Sequence, residues 1–261
     1  MSKVTIWILF LAVLAYGCFC LFLYIRQRSL IYYPHPEVKA TELQPIWLDN
    51  DGQKLKVWRG AVESKTALLY FGGNAENVLQ SSDELQRIYP DSTLYLMNYR
   101  GYGGSTGKPT EEALFSDALA LYDRVASGHE EVIVMGRSLG TAVAVNLAAV
   151  RPVKGMVLVT PYSSMVALAR HYYPFLPVNA LLKDRFESSL YAPHIDIPVL
   201  ALIAERDEII PAKISDGLIT SFNEGVAEKV VIETAYHNTI DNYPSYNSSI
   251  KNFITRLQQE K

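Results

Sequence analysis

The apolar residues divide the chain into one long uninterrupted run followed by a series of short ones. Residues 4 to 25 carry no charge and are bounded by Lys3 on one side and by Arg26 and Arg28 on the other. At about 1.5 Å per residue, a helix over this run spans roughly 33 Å, enough to cross a hydrocarbon core of about 30 Å. An aromatic residue lies near each end, as is typical of the two membrane interfaces. The run therefore predicts one membrane-spanning helix.

Two other interpretations of this run stay open. A cleavable signal peptide has a shorter apolar region and a small-residue exit, whereas this run ends in Leu23-Tyr-Ile-Arg26. A lipoprotein signal would place Cys18 after small residues, but the bulky Tyr16 precedes it by two positions. We expect an uncleaved single-pass anchor over residues 1–28. The positive charges that flank the run are nearly balanced, so they favour neither orientation in the membrane.

Farther along the chain, short runs rich in Val, Ile, Leu and Tyr alternate with stretches of helical spacing. The strand-like runs are Pro45–Asp49, Leu55–Val62, Thr66–Phe71, Thr93–Tyr99, Val132–Met135, Met156–Thr160, Val199–Ala204 and Lys229–Ile232. The helical stretches are Ala75–Ile88, Glu111–Val125, Leu139–Val150, Ala212–Phe222 and a final amphipathic segment over Tyr246–Leu257. This alternation predicts an α/β fold with a mostly parallel sheet covered by helices on both faces. Asp51-Gly52 predicts that an antiparallel hairpin opens the sheet.

Two stretches interrupt the alternation. Residues 29–45 contain three prolines and predict an extended connector between the anchor and the sheet. Residues 161–197 are rich in proline and aromatic residues and show no strand pattern, so they predict a short lid insertion. We therefore expect a membrane anchor over residues 1–28 and a single α/β domain over residues 29–261, with the lid inside it.

Composition and charge narrow the range of functions. The 261 residues are 49% hydrophobic and 20% charged, a balance typical of a chain with a substantial folded core. With 24 Lys and Arg against 27 Asp and Glu, the net charge of −3 gives no electrostatic reason to expect a nucleic-acid partner. The two cysteines, Cys18 and Cys20, both lie in the first apolar run, which removes cysteine nucleophiles and cysteine metal sites from consideration. We expect no metal and no organic cofactor.

One motif carries nucleophilic chemistry. The strand-like residues Glu131–Met135 lead into Gly136-Arg-Ser138-Leu-Gly140, and an alanine-rich helical stretch follows. A strand, a Gly-x-Ser-x-Gly turn and a helix in this order place a serine on a sharp, strained bend where its hydroxyl is exposed. The first N–H groups of the new helix then face the position where negative charge develops. The motif predicts Ser138 as a nucleophile.

The serine needs a base and an orienting acid, which in a doubly wound sheet follow later strands in the order serine, acid, histidine. Asp207 follows the run Val199–Ala204, and His237 follows Lys229–Ile232. Glu205 and Glu208 are rivals for the acid role. We favour Asp207 because its position just before Ile209-Ile-Pro211 matches the usual acid turn.

Backbone N–H groups are expected to bind the oxyanion of a tetrahedral intermediate. The run Thr66–Phe71 leads into the glycine-rich exit Gly72-Gly-Asn74, which can aim the N–H of Asn74 at the same point as the N–H of Leu139. Asn74 can also act as a simple helix cap, and the two roles are compatible.

Several blocks together resemble the alpha/beta-hydrolase superfamily and, within it, the membrane-anchored abhydrolase-domain serine hydrolases. They are Phe71-Gly-Gly-Asn-Ala-Glu-Asn, Asn98-Tyr-Arg-Gly-Tyr-Gly-Gly-Ser, Gly136-Arg-Ser-Leu-Gly, Thr160-Pro-Tyr-Ser-Ser, Arg170-His-Tyr-Tyr-Pro-Phe-Leu-Pro-Val, Asp184-Arg-Phe and Glu205-Arg-Asp-Glu-Ile-Ile-Pro. The resemblance covers the chain from about Leu30 onward and implies an eight-stranded sheet, the triad Ser138–Asp207–His237 and oxyanion donors at Asn74 and Leu139. Two positions depart from the family pattern, Gly72 where members usually carry histidine and Asn98 where they carry aspartate.

These observations favour a membrane-tethered serine hydrolase that cleaves carboxylic ester or thioester bonds of hydrophobic acyl substrates. The lid offers apolar and aromatic side chains for such a substrate at Tyr162, Tyr172, Tyr173, Phe175 and Leu176. The resemblance also covers aminopeptidase-like members, so amide hydrolysis by the same triad stays open. A third possibility is a catalytically silent, membrane-bound binding protein on the same fold, for which Gly72 is the supporting feature.

Overall fold

The fold is built around one large sheet. The computed structural model describes residues 1–38 and 43–259, so the predicted connector's residues 39–42 and the last two residues of the predicted domain lie outside the described part. Within it, eight strands pair in the order β1-β2-β4-β3-β5-β6-β7-β8. Their bounds are β1 Gln44–Asn50, β2 Gln53–Arg59, β3 Thr66–Phe71, β4 Ser92–Met97, β5 Glu131–Arg137, β6 Gly155–Val159, β7 Val199–Ala204 and β8 Ala227–Ile232. The predicted alternation and the parallel sheet are confirmed.

Only the first strands run antiparallel within this described sheet. β1 and β2 form the predicted hairpin around Asp51-Gly52, with Asn50 opposite Gln53, and β2 pairs antiparallel with β4. The other pairings, β3 with β4 and β5 and then β5 through β8 in sequence, are parallel. Because parallel strands end at the same edge, the loops after β3, β5, β6, β7 and β8 converge there.

Helices cover both faces of the sheet. They are α1 Lys3–Ile31, α2 Ser82–Ile88, α3 Glu111–Ala126, α4 Leu139–Val150, α5 Met165–Tyr172, α6 Val178–Leu181, α7 Ser188–Tyr191, α8 Ala212–Ile219 and α9 Pro244–Gln259, with 3-10 turns at Val78–Ser81, Ala192–His194 and Ile240–Asn242. Alternate residues of β3 point to opposite faces. Leu69 packs in a core cluster with residues of α3 and α4, and Leu68 packs in a second cluster with residues of α2 and α9. This two-sided burial explains why the central strands are apolar throughout.

The first helix is longer than the apolar run predicts. α1 continues to Ile31, so the expected boundary at residue 28 falls inside a helix and the expected extended connector begins only at Tyr32. The extension is held by tertiary contacts, since Gln27 is buried and Arg28 pairs with Asp184 of the lid. In length and composition α1 is able to cross a membrane, with a mean hydropathy of 2.6 over its most apolar window.

The lid agrees with the prediction from the sequence, whereas the loop after β3 does not. Residues 161–197, all described, contain α5, α6, α7 and a 3-10 turn and no strand, as expected. The predicted helix over Ala75–Ile88 is regular only from Val78. Before it the chain forms a tight turn in which Ala75 has a φ of 63° and the Glu76 carboxylate accepts the N–H of Gly73. These local side-chain bonds compete with helix formation.

Candidate active site

Five loops at the carboxyl edge of the sheet bring the predicted site residues together. Ser138 follows β5, Asp207 follows β7 and His237 follows β8, although more than 60 residues separate the first from the second along the chain. Asn74 follows β3, and the lid begins after β6. All of these residues belong to the described part of the chain.

Ser138 stands on a strained turn between β5 and α4. Its φ of 48° and ψ of −114° are rare for a residue with a side chain, and such strain persists only where the surroundings enforce it. The turn is closed by close backbone approaches: a Cβ added to Gly136 would collide with the Gly140 carbonyl, and one added to Gly140 would collide with the Phe71 carbonyl. The two glycines of the motif are therefore required by packing.

Hydrogen bonds connect the serine, the histidine and the aspartate in series. The Nε2 atom of His237 lies 3.1 Å from the Ser138 hydroxyl oxygen, and its Nδ1 atom lies 2.8 Å and 3.0 Å from the two carboxylate oxygens of Asp207. The side chains of His237 and Asp207 are 5% and 2% exposed, so water screens their contact little. With Nδ1–H donated to Asp207, Nε2 is left to accept the serine proton.

The rival carboxylates have other partners. Glu205 accepts the backbone N–H of Thr234 at 2.6 Å, and Glu208 accepts the backbone N–H of His237 at 3.2 Å. Asp207 is the one of the three whose oxygens reach the imidazole. One of its oxygens also accepts the N–H groups of Ile209 and Ile210, which orients the carboxylate. Its catalytic role stays a prediction, but its position is the one that an orienting acid needs.

The two predicted oxyanion donors flank the serine. Leu139 is the first residue of α4, so its N–H is among those that a helix leaves without an intrahelical partner. The loop that carries Asn74 passes close by, since a Cβ on Gly73 would lie 3.6 Å from the Cβ of Ser138. Leu139 thus adjoins Ser138 in the chain and the loop of Asn74 passes beside it, while the oxyanion role of the two N–H groups stays a prediction.

The side chain of Asn74 joins this loop to the end of α1. Its amide nitrogen donates to the Ile31 carbonyl, and its amide oxygen accepts the N–H of Tyr33 at 3.0 Å and the hydroxyl of Tyr102 at 2.8 Å. The sequence suggested a cap or an oxyanion donor here. It carried no signal that this residue would attach α1 to the site.

Glu76 holds the other end of the same loop. Its carboxylate accepts the N–H of Gly73, the hydroxyl of Tyr70 at 2.6 Å and the hydroxyl of Ser81 at 2.8 Å. The structure also accounts for the departure at Gly72, because a Cβ there would lie 2.8 Å from a methyl of the buried Val78. The loop is thus packed for glycine at this position.

Two ionisable groups near the triad have shifted pKa values. Burial alone lowers the pKa of the Arg137 guanidinium, but the nearby Tyr70, Asp241 and Glu76 outweigh it and raise the pKa above its usual value. Burial, followed by the charges of Asp207 and Glu208, raises the pKa of Tyr172. Tyr172 therefore stays a neutral donor, and its hydroxyl bonds to the carbonyls of Glu208 and Ile209 at 3.0 Å. The lid is in this way attached to the loop after β7 that carries Asp207, called the acid loop below.

A cavity of about 430 Å³ opens at Ser138. All five residues predicted for substrate contact line it, together with Asn74 and Leu139. The prediction missed the residues that α1 and its exit contribute, which are Phe19, Leu23, Gln27, Leu30, Ile31 and Tyr33. A signal for them existed, because Phe19, Leu23, Gln27 and Leu30 recur at three- and four-residue intervals on one helix face, but lipid-facing residues show the same spacing. Other missed residues, such as Met165, Leu168 and Ile210, belong to the lid and the acid loop.

No cluster of three or more His, Cys, Asp or Glu side chains in the described chain is arranged to hold a metal ion. A serine hydroxyl, an imidazole and a carboxylate in contact suit nucleophilic attack and proton transfer.

Comparison with known proteins identifies relatives of the chain. A family model described as alpha/beta hydrolase fold matches residues 66–189. An uncharacterized protein of Mycobacterium tuberculosis is 32% identical over 234 residues, which cover 84% of this chain and 83% of the relative. The human alpha/beta hydrolase domain-containing protein 17B is 31% identical over 206 residues, which cover 76% and 69%. The lysophosphatidylserine lipase ABHD12 of Macaca fascicularis is 28% identical over 212 residues, which cover 69% of this chain and 53% of the lipase.

Solved structures show the same fold. The Pyrococcus furiosus esterase Pf2001 superimposes with a TM-score of 0.67 at 19% identity, covering 86% of this chain and 97% of the esterase. The complex of DcsB with its substrate analogue superimposes with a TM-score of 0.69 at 15% identity, covering 84% and 100%. At these identities the similarity extends to the fold alone.

Proposed function

Because this chain belongs to the alpha/beta hydrolase superfamily, we propose that it is a membrane-anchored serine hydrolase that cleaves ester or thioester bonds of hydrophobic acyl substrates. Family membership and the lipase among its relatives support hydrolase activity. The serine mechanism, the ester substrate and the residue roles are the proposal.

The observation that carries the proposal is the series of hydrogen bonds from Ser138 through His237 to Asp207, in which Ser138 stands on a strained turn. In the proposed reaction, His237 takes the Ser138 proton as the oxygen attacks the acyl carbonyl carbon. Asp207 stabilises the imidazolium, which then gives its proton to the departing alcohol or thiol. Water, deprotonated by the same histidine, hydrolyses the acyl-enzyme and restores the serine.

The negative oxygen of each tetrahedral intermediate would be bound by the N–H groups of Asn74 and Leu139. Both donors are held before the substrate arrives, one by the start of α4 and the other by the side-chain bonds of the loop after β3. A donor that is already oriented adds no free energy of rearrangement at the moment of reaction. Each such N–H contributes about 2.7–4 kcal/mol to transition-state stabilisation in hydrolases.

The preference for a hydrophobic acyl group is supported by the cavity, whose lining is mostly aliphatic and aromatic. We propose Tyr162, Tyr172, Tyr173, Phe175 and Leu176 as substrate contacts in the lid. Two of them, Tyr173 and Phe175, are more than half exposed and so are available at the cavity rim.

We propose that α1 is an uncleaved anchor and that residues 29–261 form the hydrolase domain with its lid. The length and hydropathy of α1 support the anchor. The bond of Tyr16 to the lid carbonyl of Phe175 supports retention, because cleavage at the end of the apolar run would remove this partner.

Labelling with a fluorophosphonate probe tests the proposal. The full-length wild type should react and Ser138→Ala should not, with Ser163→Ala as a matched control in the lid. Nitrophenyl esters should be hydrolysed by the wild type and not by His237→Ala. Equal labelling of wild type and Ser138→Ala would contradict the serine mechanism. Turnover of aminoacyl amides with no ester turnover would contradict the ester substrate.

A further inference from the structure

We propose that the cavity at Ser138 is a binding groove for one lipid acyl chain, which lies parallel to α1 and enters from the surrounding bilayer. This inference rests on the proposed function and goes beyond it by naming the substrate class, a membrane-resident acyl ester, and by making the anchor helix one wall of its binding site.

The shape of the groove follows from which residues line it. On one side stand Phe19, Leu23, Gln27, Leu30 and Ile31, all from α1, and on the other side stand residues of the lid. Phe19 and Ile31 are twelve residues apart, which corresponds to about 18 Å along a helix. Ser138 lies near the Ile31 end, because Asn74 lines the same cavity and bonds to the Ile31 carbonyl. The groove therefore runs from the serine along the helix.

The position of the groove relative to the apolar run matches the depth of a lipid ester. Ile25 is the last residue of that run, so the Ile31 end of the groove lies about 9 Å outside it and the Phe19 end about 9 Å inside it. The headgroup layer is roughly 5–8 Å thick on each side of the hydrocarbon core. A substrate with its ester at Ser138 and its chain toward Phe19 would keep the polar part near the headgroups and the chain in the hydrocarbon.

The α1 wall is fixed to the lid by specific bonds. Gln27, only 8% exposed, donates to the Leu181 carbonyl at 2.9 Å and accepts the N–H of Lys183 at 2.7 Å. Arg28 makes two bonds to Asp184, whose side chain is 3% exposed. A helix that served only as a tether would need no buried glutamine paired with lid backbone.

The far end of the groove faces the hydrocarbon rather than water. The hydroxyl of Tyr16 donates to the carbonyl of Phe175 at 2.8 Å, and Tyr16 lies nine residues, or about 14 Å, inside Ile25. The lid tip with Phe175 and Tyr173 is thus beside the membrane-spanning part of α1, and both side chains are exposed. Exposed apolar side chains at this depth fit contact with lipid, which makes the bilayer the source of the substrate.

The volume fits one chain. The cavity of about 430 Å³ falls among the roughly 300–1,000 Å³ pockets that hold drug-sized ligands, so it has room for one long acyl chain.

Matched tryptophan substitutions in α1 test the groove. Leu23 and Phe19 line it, whereas Leu21 and Phe22 are 57% and 56% exposed on other faces of the helix. Full-length variants in phosphatidylcholine nanodiscs are assayed with nitrophenyl butyrate, octanoate and palmitate. Leu23→Trp should lower the palmitate-to-butyrate ratio of kcat/KM at least tenfold. It should also lower the octanoate-to-butyrate ratio. Phe19→Trp, deeper in the groove, should lower the palmitate ratio alone. Leu21→Trp and Phe22→Trp should leave all ratios as in the wild type.

The source of the substrate is tested by surface dilution. At constant bulk concentration of nitrophenyl palmitate, added phosphatidylcholine should lower the rate in proportion to the mole fraction of the ester in the bilayer, and a rate that follows bulk concentration would overturn bilayer entry. Ratios unchanged in both Leu23→Trp and Phe19→Trp would overturn the groove. Fluorophosphonate labelling and butyrate turnover report on the proposed function alone. If the groove proposal fails while both persist, the proposed hydrolase function still holds.

Discussion

The two walls of the cavity are built in different ways. On the sheet side, Ser138 and Leu139 follow β5 directly and Tyr162 lies where the lid leaves the neighbouring parallel strand β6, and Leu139 and Tyr162 are almost fully buried. On the α1 side, Phe19 and Leu30 are about half exposed, and a few polar contacts hold the helix in place. The sheet-side wall is fixed by continuous hydrogen-bonded strands, whereas the α1 wall depends on individual bonds.

This difference separates chemistry from chain recognition. Atoms that react need positions held within fractions of an ångström, which a central sheet supplies. An apolar chain needs only a surface of suitable shape, which a helix attached at several points can provide. Changes on the sheet side should therefore affect all substrates equally, and changes on the α1 side should affect long chains selectively.

Asp207→Asn should reduce kcat by about 10,000-fold for butyrate and palmitate esters alike. The amide presents its donor to Nδ1 and favours the tautomer in which Nε2 cannot accept the serine proton. Steady-state kinetics with both esters checks this, with Glu205→Gln as the control that should lose little activity. A selective loss with the palmitate ester would show that the acid loop also shapes the groove.

Asn74→Ala should lower kcat by about 10- to 100-fold for esters of any length. The backbone donor remains, but the loop loses its bonds to Ile31, Tyr33 and Tyr102, and small displacements of this kind are costly. Asn77→Ala, which removes a side-chain cap from the adjacent 3-10 turn, is the matched control and should cost less than about threefold. Equal effects of the two variants would mean that attachment to α1 does not position the loop.

Arg28→Met should lower the palmitate-to-butyrate ratio of kcat/KM by about three- to tenfold and reduce the free energy of unfolding by about 1–3 kcal/mol. The substitution leaves the buried Asp184 carboxylate without its guanidinium partner, although the N–H of Glu111 still donates to it. Thermal unfolding and ester kinetics in nanodiscs provide the measurement. Arg26→Met removes an exposed charge from the same helix and should change neither quantity appreciably.

Tyr16→Phe should have the smallest effect, a two- to threefold fall in palmitate turnover with butyrate turnover near the wild-type value. It removes one hydrogen bond between α1 and the lid tip, worth about 0.5–1.5 kcal/mol, and retains the ring. Tyr24→Phe keeps its ring beneath the Lys183 ammonium and serves as the control. A larger loss with the control would show that the hydroxyl of Tyr24, and not that of Tyr16, supports palmitate turnover.

Local patterns were sufficient for the framework of the fold. The strands β3 and β7 and the helix α4 begin and end at the predicted residues. In a buried parallel strand or helix almost every residue is apolar, so the apolar run has the same limits as the element. The sequence also predicted the strained turn at Ser138. Its glycines are required because backbone atoms approach closely within the Gly-x-Ser-x-Gly segment and between that segment and β3. The start of the predicted helix at Ala75 was wrong, because the bonds of Glu76 to Gly73 favour a turn there.

The sequence by itself determined the α/β framework, the serine turn and a helix able to cross a membrane, since each depends on residues close together in the chain. The sequence favoured Asp207 among three acidic residues within four positions, but only the tertiary structure decided which of them faces His237, because the direction of each side chain depends on the fold. It also decided that one face of α1 lines the cavity. Apolar residues that face lipid and apolar residues that face a protein groove have the same spacing, and contacts between α1 and the lid some 150 residues later distinguish them.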